Sequence, residues 1–167
     1  MSLQKVLIRI LLIASFGLLE WFPVHAQFVQ QGGKMIGTGC AAYQGWSVST
    51  SSDGNTAIVG GPFDNSNSGA AWIFTRANGV WSQQGSKLVG TWAAGAAYQG
   101  GSVALSSDGK TAIVGGPSDS GGVGAAWIFT LISGVWSQQG KKLVGYGAMG
   151  AANQGCFFRL KSAHFSA

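Results

Sequence analysis

Charge is scarce in this chain: charged residues make up 9% of 167. After Glu20 there is no Glu, and the remaining acids are Asp53, Asp64, Asp108 and Asp119. A glycosidase needs two carboxylates converging on one bond. These four recur instead as two equivalent pairs in turn-like stretches, which argues for a structural role. The one His beyond His25 is His164, so no Ser-His-Asp or Cys-His set can be assembled. Cysteine is limited to Cys40 and Cys156, at non-equivalent places and outside any Cys-x-x-Cys. Their spacing does not argue for a disulfide, although an oxidising compartment would permit one. With no His or Cys cluster beside them, a metal site is weaker still. Basic clusters are missing too. The net charge of +5 is spread thinly, and the only adjacent pair, Lys141-Lys142, reads as a solvated strand end. That excludes a nucleic-acid footprint, which concentrates bases on one face.

What is abundant is apolar surface and glycine. Hydrophobic residues reach 46%, too many for a disordered tail, and the 28 Gly lack the Gly-X-Y period of collagen. The first 26 residues read as a secretory signal peptide. Lys5 and Arg9 lead, Ile10 to Leu19 is an apolar run, and Val24-His25-Ala26 places a small residue at the cleavage point. The run is too short for a comfortable membrane span. Export with cleavage before Gln27 is the expectation, leaving no membrane span.

The rest repeats at an offset of 55 residues. Ser51 to Pro62 returns as Ser106 to Pro117 with only Asn55 changed, to Lys110. Gly69 to Thr75 returns unchanged as Gly124 to Thr130. Gly79 to Gly90 returns as Gly134 to Gly145, with Ser86 becoming Lys141. Gln30 to Gly37 matches Gln83 to Gly90, and a third unit starts at Tyr146 and runs to Gly155. The organisation is therefore a signal peptide (1–26), a partial unit (27–44), full units (45–99 and 100–154) and an atypical tail (155–167).

Within a unit the punctuation is that of a β-meander. Ser102 to Ser106 and Thr111 to Val114 flank Asp108-Gly109, a tight-turn dipeptide. Ala125 to Thr130 and Val135 to Gln138 form the third and fourth strands. The strands are apolar on both faces, as in Ala71-Trp72-Ile73-Phe74, which suits a blade packed between two neighbours. The reading is all-β: a β-propeller-type repeat of four-stranded meander blades, about two to three of them, in an incomplete ring.

These residues resemble the FG-GAP repeat family, the blades of integrin-α-like β-propellers, and the bacterial secreted versions most closely. Gly45-Trp46-Ser47-Val48 and Gly101-Ser102-Val103 stand where the family has Phe-Gly, and Val59 to Pro62 and Val114 to Pro117 where it has Gly-Ala-Pro. The resemblance covers about residues 28 to 155. It implies an adhesive role toward an extracellular protein or glycan, and the missing catalytic residue sets make the reading non-enzymatic. Many such blades hold calcium in Asp-x-Asp-x-Asp-Gly-x-x-Asp. Here each loop keeps one carboxylate, Asp53 or Asp108, and is a residue short. Calcium wants six to eight oxygens, so no cofactor is expected. Asp64-Asn65-Ser66-Asn67 is a second, equally weak ligand set.

Trp72 and Trp127, like Trp81 and Trp136, recur in apolar strands and read as core between blades. Trp46 and Trp92 do not recur and are the candidates for surface contact. The alternative function is accordingly a carbohydrate-binding module with Trp platforms. Two to three blades cannot close a ring that takes four to eight. Open apolar faces and strand edges would promote self-association. The tail from Cys156 breaks the repeat abruptly, and the expectation is a truncated or frame-shifted copy of a longer repeat protein.

Overall fold

The computed structural model describes residues 29–39, 43–148 and 150–156. The chain divides into two units, Met1–Gln30 and Gln31–Ala167. The signal-peptide reading, Cys40 and the tail from Phe157 onward lie outside the described residues. No helix among the described residues is long and apolar enough to cross a membrane.

The second unit is all-β. Sheet 1 consists of β1 (Ser47–Thr50), β2 (Thr56–Gly61), β3 (Ala70–Ala77) and β4 (Val80–Gln83), in that order. Sheet 2 repeats it with β5 (Ser102–Leu105), β6 (Thr111–Gly116), β7 (Ala125–Ile132) and β8 (Val135–Gln138). All pairings are antiparallel and the registers coincide. Val59 faces Trp72 as Val114 faces Trp127, and Ser47 faces Gly60 as Ser102 faces Gly115. The two sheets do not close into a barrel, and the arrangement is consistent with part of a β-propeller.

Local chemistry explains the meander. The β1–β2 and β5–β6 hairpins turn at Asp53-Gly54 and Asp108-Gly109, where each Gly has positive φ. The β3–β4 and β7–β8 turns use Asn78-Gly79 and Ser133-Gly134, both residues of each with positive φ. Between β2 and β3 lies one left-handed helical turn, α1 (Asp64–Asn67), with α2 (Asp119–Gly122) its counterpart.

The pleat assigns each side chain to a face. The front of sheet 1 carries Val48, Ala57, Val59, Trp72, Phe74 and Trp81, and its back Ile58, Ala71 and Ile73. The back of sheet 1 packs on the front of sheet 2, where Val103, Leu105, Val114, Trp127 and Phe129 join Leu88 and Ala97 in one buried core. Small residues permit this approach. A Cβ added at Gly60 would lie 2.2 Å from the Gly100 carbonyl oxygen, and Ser47 Oγ donates to that same oxygen at 2.8 Å. On the front of sheet 1, Val59, Ala70, Trp72 and Phe74 form a smaller cluster with Trp81. The segment from Gln31 to Gly39 borders this cluster.

The connections between units are straps closed by glutamine. Gln99 is fully buried. Its Oε1 accepts from Gly90 N at 2.5 Å and its Nε2 donates to Gly90 O at 3.0 Å. Gln44 makes the same pair of bonds to Gly37, at 2.8 and 3.2 Å, and Gln154 accepts from Gly145 N at 2.5 Å. The first two straps each grip the front of the sheet that follows. Trp72 and Trp127 donate their indole N–H to the carbonyls of Thr38 and Thr91, each at 2.8 Å.

Candidate functional site

The site that stands out is where the repeat is broken. Tyr43 and Trp46 precede β1, Phe63 follows β2, and Tyr98 precedes β5, so all four lie on loops at the same end of the strands. Phe63 is their centre. Its ring lies 5.0 Å from Tyr43, 5.6 Å from Trp46 and 5.5 Å from Tyr98, between centroids, and the last two contacts are edge-to-face. Such contacts exploit the ring quadrupole and fix the relative orientation of the rings. Tyr43 remains 72% exposed and Trp46 60%, so the cluster presents aromatic surface to solvent.

The backbone holds this display at a cost. Tyr43 and Tyr98 have φ of 48° and 56°, the left-handed region that disfavours residues with a Cβ. The third unit fills the same place with Asn153, φ 48°, a residue better suited to it. The turn itself is common to all three: Trp46, Gly101 and Cys156 donate their N–H to the carbonyls of Tyr43, Tyr98 and Asn153. The aromatic cluster is not common. Gly101 replaces Trp46 and Ser118 replaces Phe63 one unit on.

Trp92, the other unrepeated Trp, is also exposed but belongs elsewhere. It lines a shallow groove of about 310 Å³ with Lys141, Lys142 and Val144. Of the repeated Trp residues, Trp72 and Trp127 are fully buried, while Trp81 and Trp136 are half-buried.

Asp53 and Asp108 are taken up by their own hairpins. Asp53 Oδ1 accepts from Ser51 Oγ at 2.5 Å and Asn55 N at 3.0 Å, and Oδ2 accepts from Asn55 Nδ2 at 3.1 Å. Asp108 Oδ1 accepts from Ser106 Oγ at 2.5 Å and Lys110 N at 3.0 Å. Both carboxyls are held below the ordinary aspartate range, first by the serine hydroxyl and next by the backbone N–H. A carboxylate lowered on folding stabilises the fold above its unfolded pKa of about 4, and that contribution is lost as pH falls through the folded value. Thermal melts should therefore show the Asp53→Asn/Asp108→Asn variant below the parent at pH 7. The gap should close on acidification below about pH 4, where the parent's carboxyls protonate. A gap independent of pH would show that the carboxylate charge is not what the turn uses.

The other two acids differ in kind. Asp64 and Asp119 are buried, and each pairs with a lysine of its own unit: Asp64 with Lys87, and Asp119 with Lys142. This corrects the reading of Lys141-Lys142 as a solvated pair. Lys141 is exposed, but Lys142 is drawn inward by the buried carboxylate of Asp119, which pairs with no other cation among the described residues. It also makes Asp64 a structural anchor, with its side chain committed to Lys87. A sequence signal existed: Lys87 and Lys142 repeat in phase, whereas Arg76, Lys110 and Lys141 become Leu131, Asn55 and Ser86.

Cys156 is half-buried and a free thiol. Among the described residues, no group of three or more His, Cys, Asp or Glu comes together. No protein-family model matches the chain, and comparison with curated proteins finds no match.

Proposed function

We propose that this chain is a non-catalytic repeat protein, exported through its signal peptide and used for interaction outside the cell or at its surface. Its two sheets are read as blades of an FG-GAP-like β-propeller. The matched registers, the back-to-front stacking and the Asp-Gly and Gly-Gly-Pro punctuation support that reading. The observation that carries the interaction role is the exposed cluster of Tyr43, Trp46, Phe63 and Tyr98. Repeats conserve what the fold needs. Trp46 and Phe63 occur in one unit only, and the solvent-facing aromatic group they complete contributes nothing to that common need.

The same cluster favours a second reading, carbohydrate binding, because exposed Trp and Tyr rings can stack on the apolar faces of sugars. The readings separate by experiment. Beads coated with the protein are applied to cells before and after enzymatic removal of surface glycans, and the protein is probed on a glycan array. Retained adhesion points to a protein partner, and lost adhesion with an array signal points to glycan. In either case Trp46→Ala should weaken binding by about 30-fold or more, as expected of an aromatic hot spot worth about 2 kcal/mol. Adhesion unchanged in Trp46→Ala and Tyr43→Ala would remove the cluster from the argument.

A further inference from the structure

The joint between the two sheets has both of its halves present a second time. On the back of sheet 2, Ile113, Ala126 and Ile128 stand where sheet 1 has Ile58, Ala71 and Ile73. Leu143 bridges Ala126 as Leu88 bridges Ala71. Leu88, beneath sheet 2, is 5% exposed, whereas Leu143 is 54% exposed. On the front of sheet 1, Val48 is 67% exposed, whereas its counterpart Val103, beneath sheet 1, is 6% exposed. Around Val48 lies a groove of about 540 Å³ that also touches Met35, Ile36, Tyr43 and Val59. Positions outside the joint show no such contrast: Val80 is 68% exposed and Val135 63%. The exposure of Leu143 and Val48 therefore reflects a sheet that is not there among the described residues, and not their place in the unit.

The third strap is preformed as well. Gln154 closes it onto Gly145, yet Tyr146, at the place of Thr38 and Thr91, is fully exposed. In the other straps that residue donates its N–H to Gln83 or Gln138 Oε1, at 2.8 and 2.7 Å, and accepts the buried indole N–H of Trp72 or Trp127. A strap of this kind addresses one surface: a front face with a buried Trp and a Gln on its fourth strand.

We propose that sheet 2 of one copy docks head to tail on sheet 1 of a second copy. The Gly145–Gln154 strap of the first then takes the place of the Gly37–Gln44 strap of the second. The occupant is a second copy of this chain because sheet 1 carries the same addressed groups, Trp72 and Gln83, and its front lacks a covering sheet among the described residues. Exchange of straps is required because both compete for that indole and that amide. The contact is heterologous, so it closes into a ring or continues as a filament. With two sheets per chain, a ring of four to eight blades takes two to four copies.

Sedimentation velocity on the full chain over a concentration series tests this. The parent should assemble in a concentration-dependent way. Leu143→Asp spoils one half of the joint and Val48→Asp the other, and each should be monomeric alone. Mixed in equal amounts they should form a heterodimer and nothing larger, since each keeps one sound half. Val135→Asp should assemble like the parent. Gln44→Ala, which loosens the resident strap, should lower the concentration for half-assembly by about threefold to tenfold, and Gln154→Ala should raise it by as much. Circular dichroism identifies any Asp variant that fails to fold, and Leu143→Gln or Val48→Thr then replaces it. A parent that stays monomeric at every concentration, variants that assemble like the parent, or a mixture that stays monomeric would each overturn the proposal.

Discussion

Replacing Asp119 with Ala should lower the stability of the folded unit by about 3–5 kcal/mol, the range for breaking a buried ion pair from one side. The carboxylate is fully buried and holds three donors. Oδ2 accepts from Lys142 Nζ at 2.5 Å and from Ser120 Oγ at 2.9 Å, and Oδ1 accepts from Ala94 N at 2.8 Å. The last bond ties α2 to the strap between the sheets. Without the carboxylate, Lys142, whose side chain is 19% exposed, is left mostly covered with its counter-charge gone. Because removal of one partner strands the other, Asp119→Leu/Lys142→Met should lose less than Asp119→Ala alone. Urea unfolding of the three proteins gives the comparison. A loss below about 1 kcal/mol for Asp119→Ala would place the pair with solvent-exposed salt bridges and refute the anchoring role.

The fold was legible in the sequence wherever a short segment carries its own instruction. Asp53-Gly54, Asp108-Gly109 and Asn78-Gly79 announce turns because the backbone there needs positive φ, and these turns set the register of the strands they join. Identical strand sequences then impose identical pairing, so two equal sheets followed from letters alone. The stacking of the sheets was visible too, since Ala71-Trp72-Ile73-Phe74 leaves no polar face for water. What escaped notice depends on pairs distant along the chain. Gln44, Gln99 and Gln154 recur in plain view, but a glutamine is called to a glycine amide only once the strap has bent back on itself. Asp64 and Lys87 are brought together by the β3–β4 hairpin, which carries the chain away from α1 and returns it to Leu88 opposite Ala71. Trp46 was recognisable as a surface residue because it fails to repeat. Its partners Tyr43, Phe63 and Tyr98 were not, because the four rings meet only when three separate loops come together.

Trp127→Ala should be as damaging, at about 3–5 kcal/mol, and for a different reason. Trp127 is fully buried in the core between the sheets, beneath Leu88 and Ala97, and its indole N–H holds the Thr91 carbonyl at 2.8 Å. The ring lies so close to the strap that a Cβ at Gly90 would fall 2.2 Å from its Cδ1 and Cγ. Truncation therefore opens a cavity at the joint and frees the strap in one step. Trp127→Phe narrows the comparison, because it keeps an aromatic ring in the core while losing the donor and a smaller part of the volume. It should lose less than the alanine variant, with about 1 kcal/mol assignable to the hydrogen bond. Gly90→Ala should also destabilise, since the strap must retreat from the ring, while Trp127→Ala/Gly90→Ala should lose less than the sum of the two single changes. Equilibrium unfolding of the four variants tests the set. Additive losses from Trp127→Ala and Gly90→Ala would show that ring and strap do not bear on each other, and the stacking of sheet 2 on sheet 1 would then need another cause.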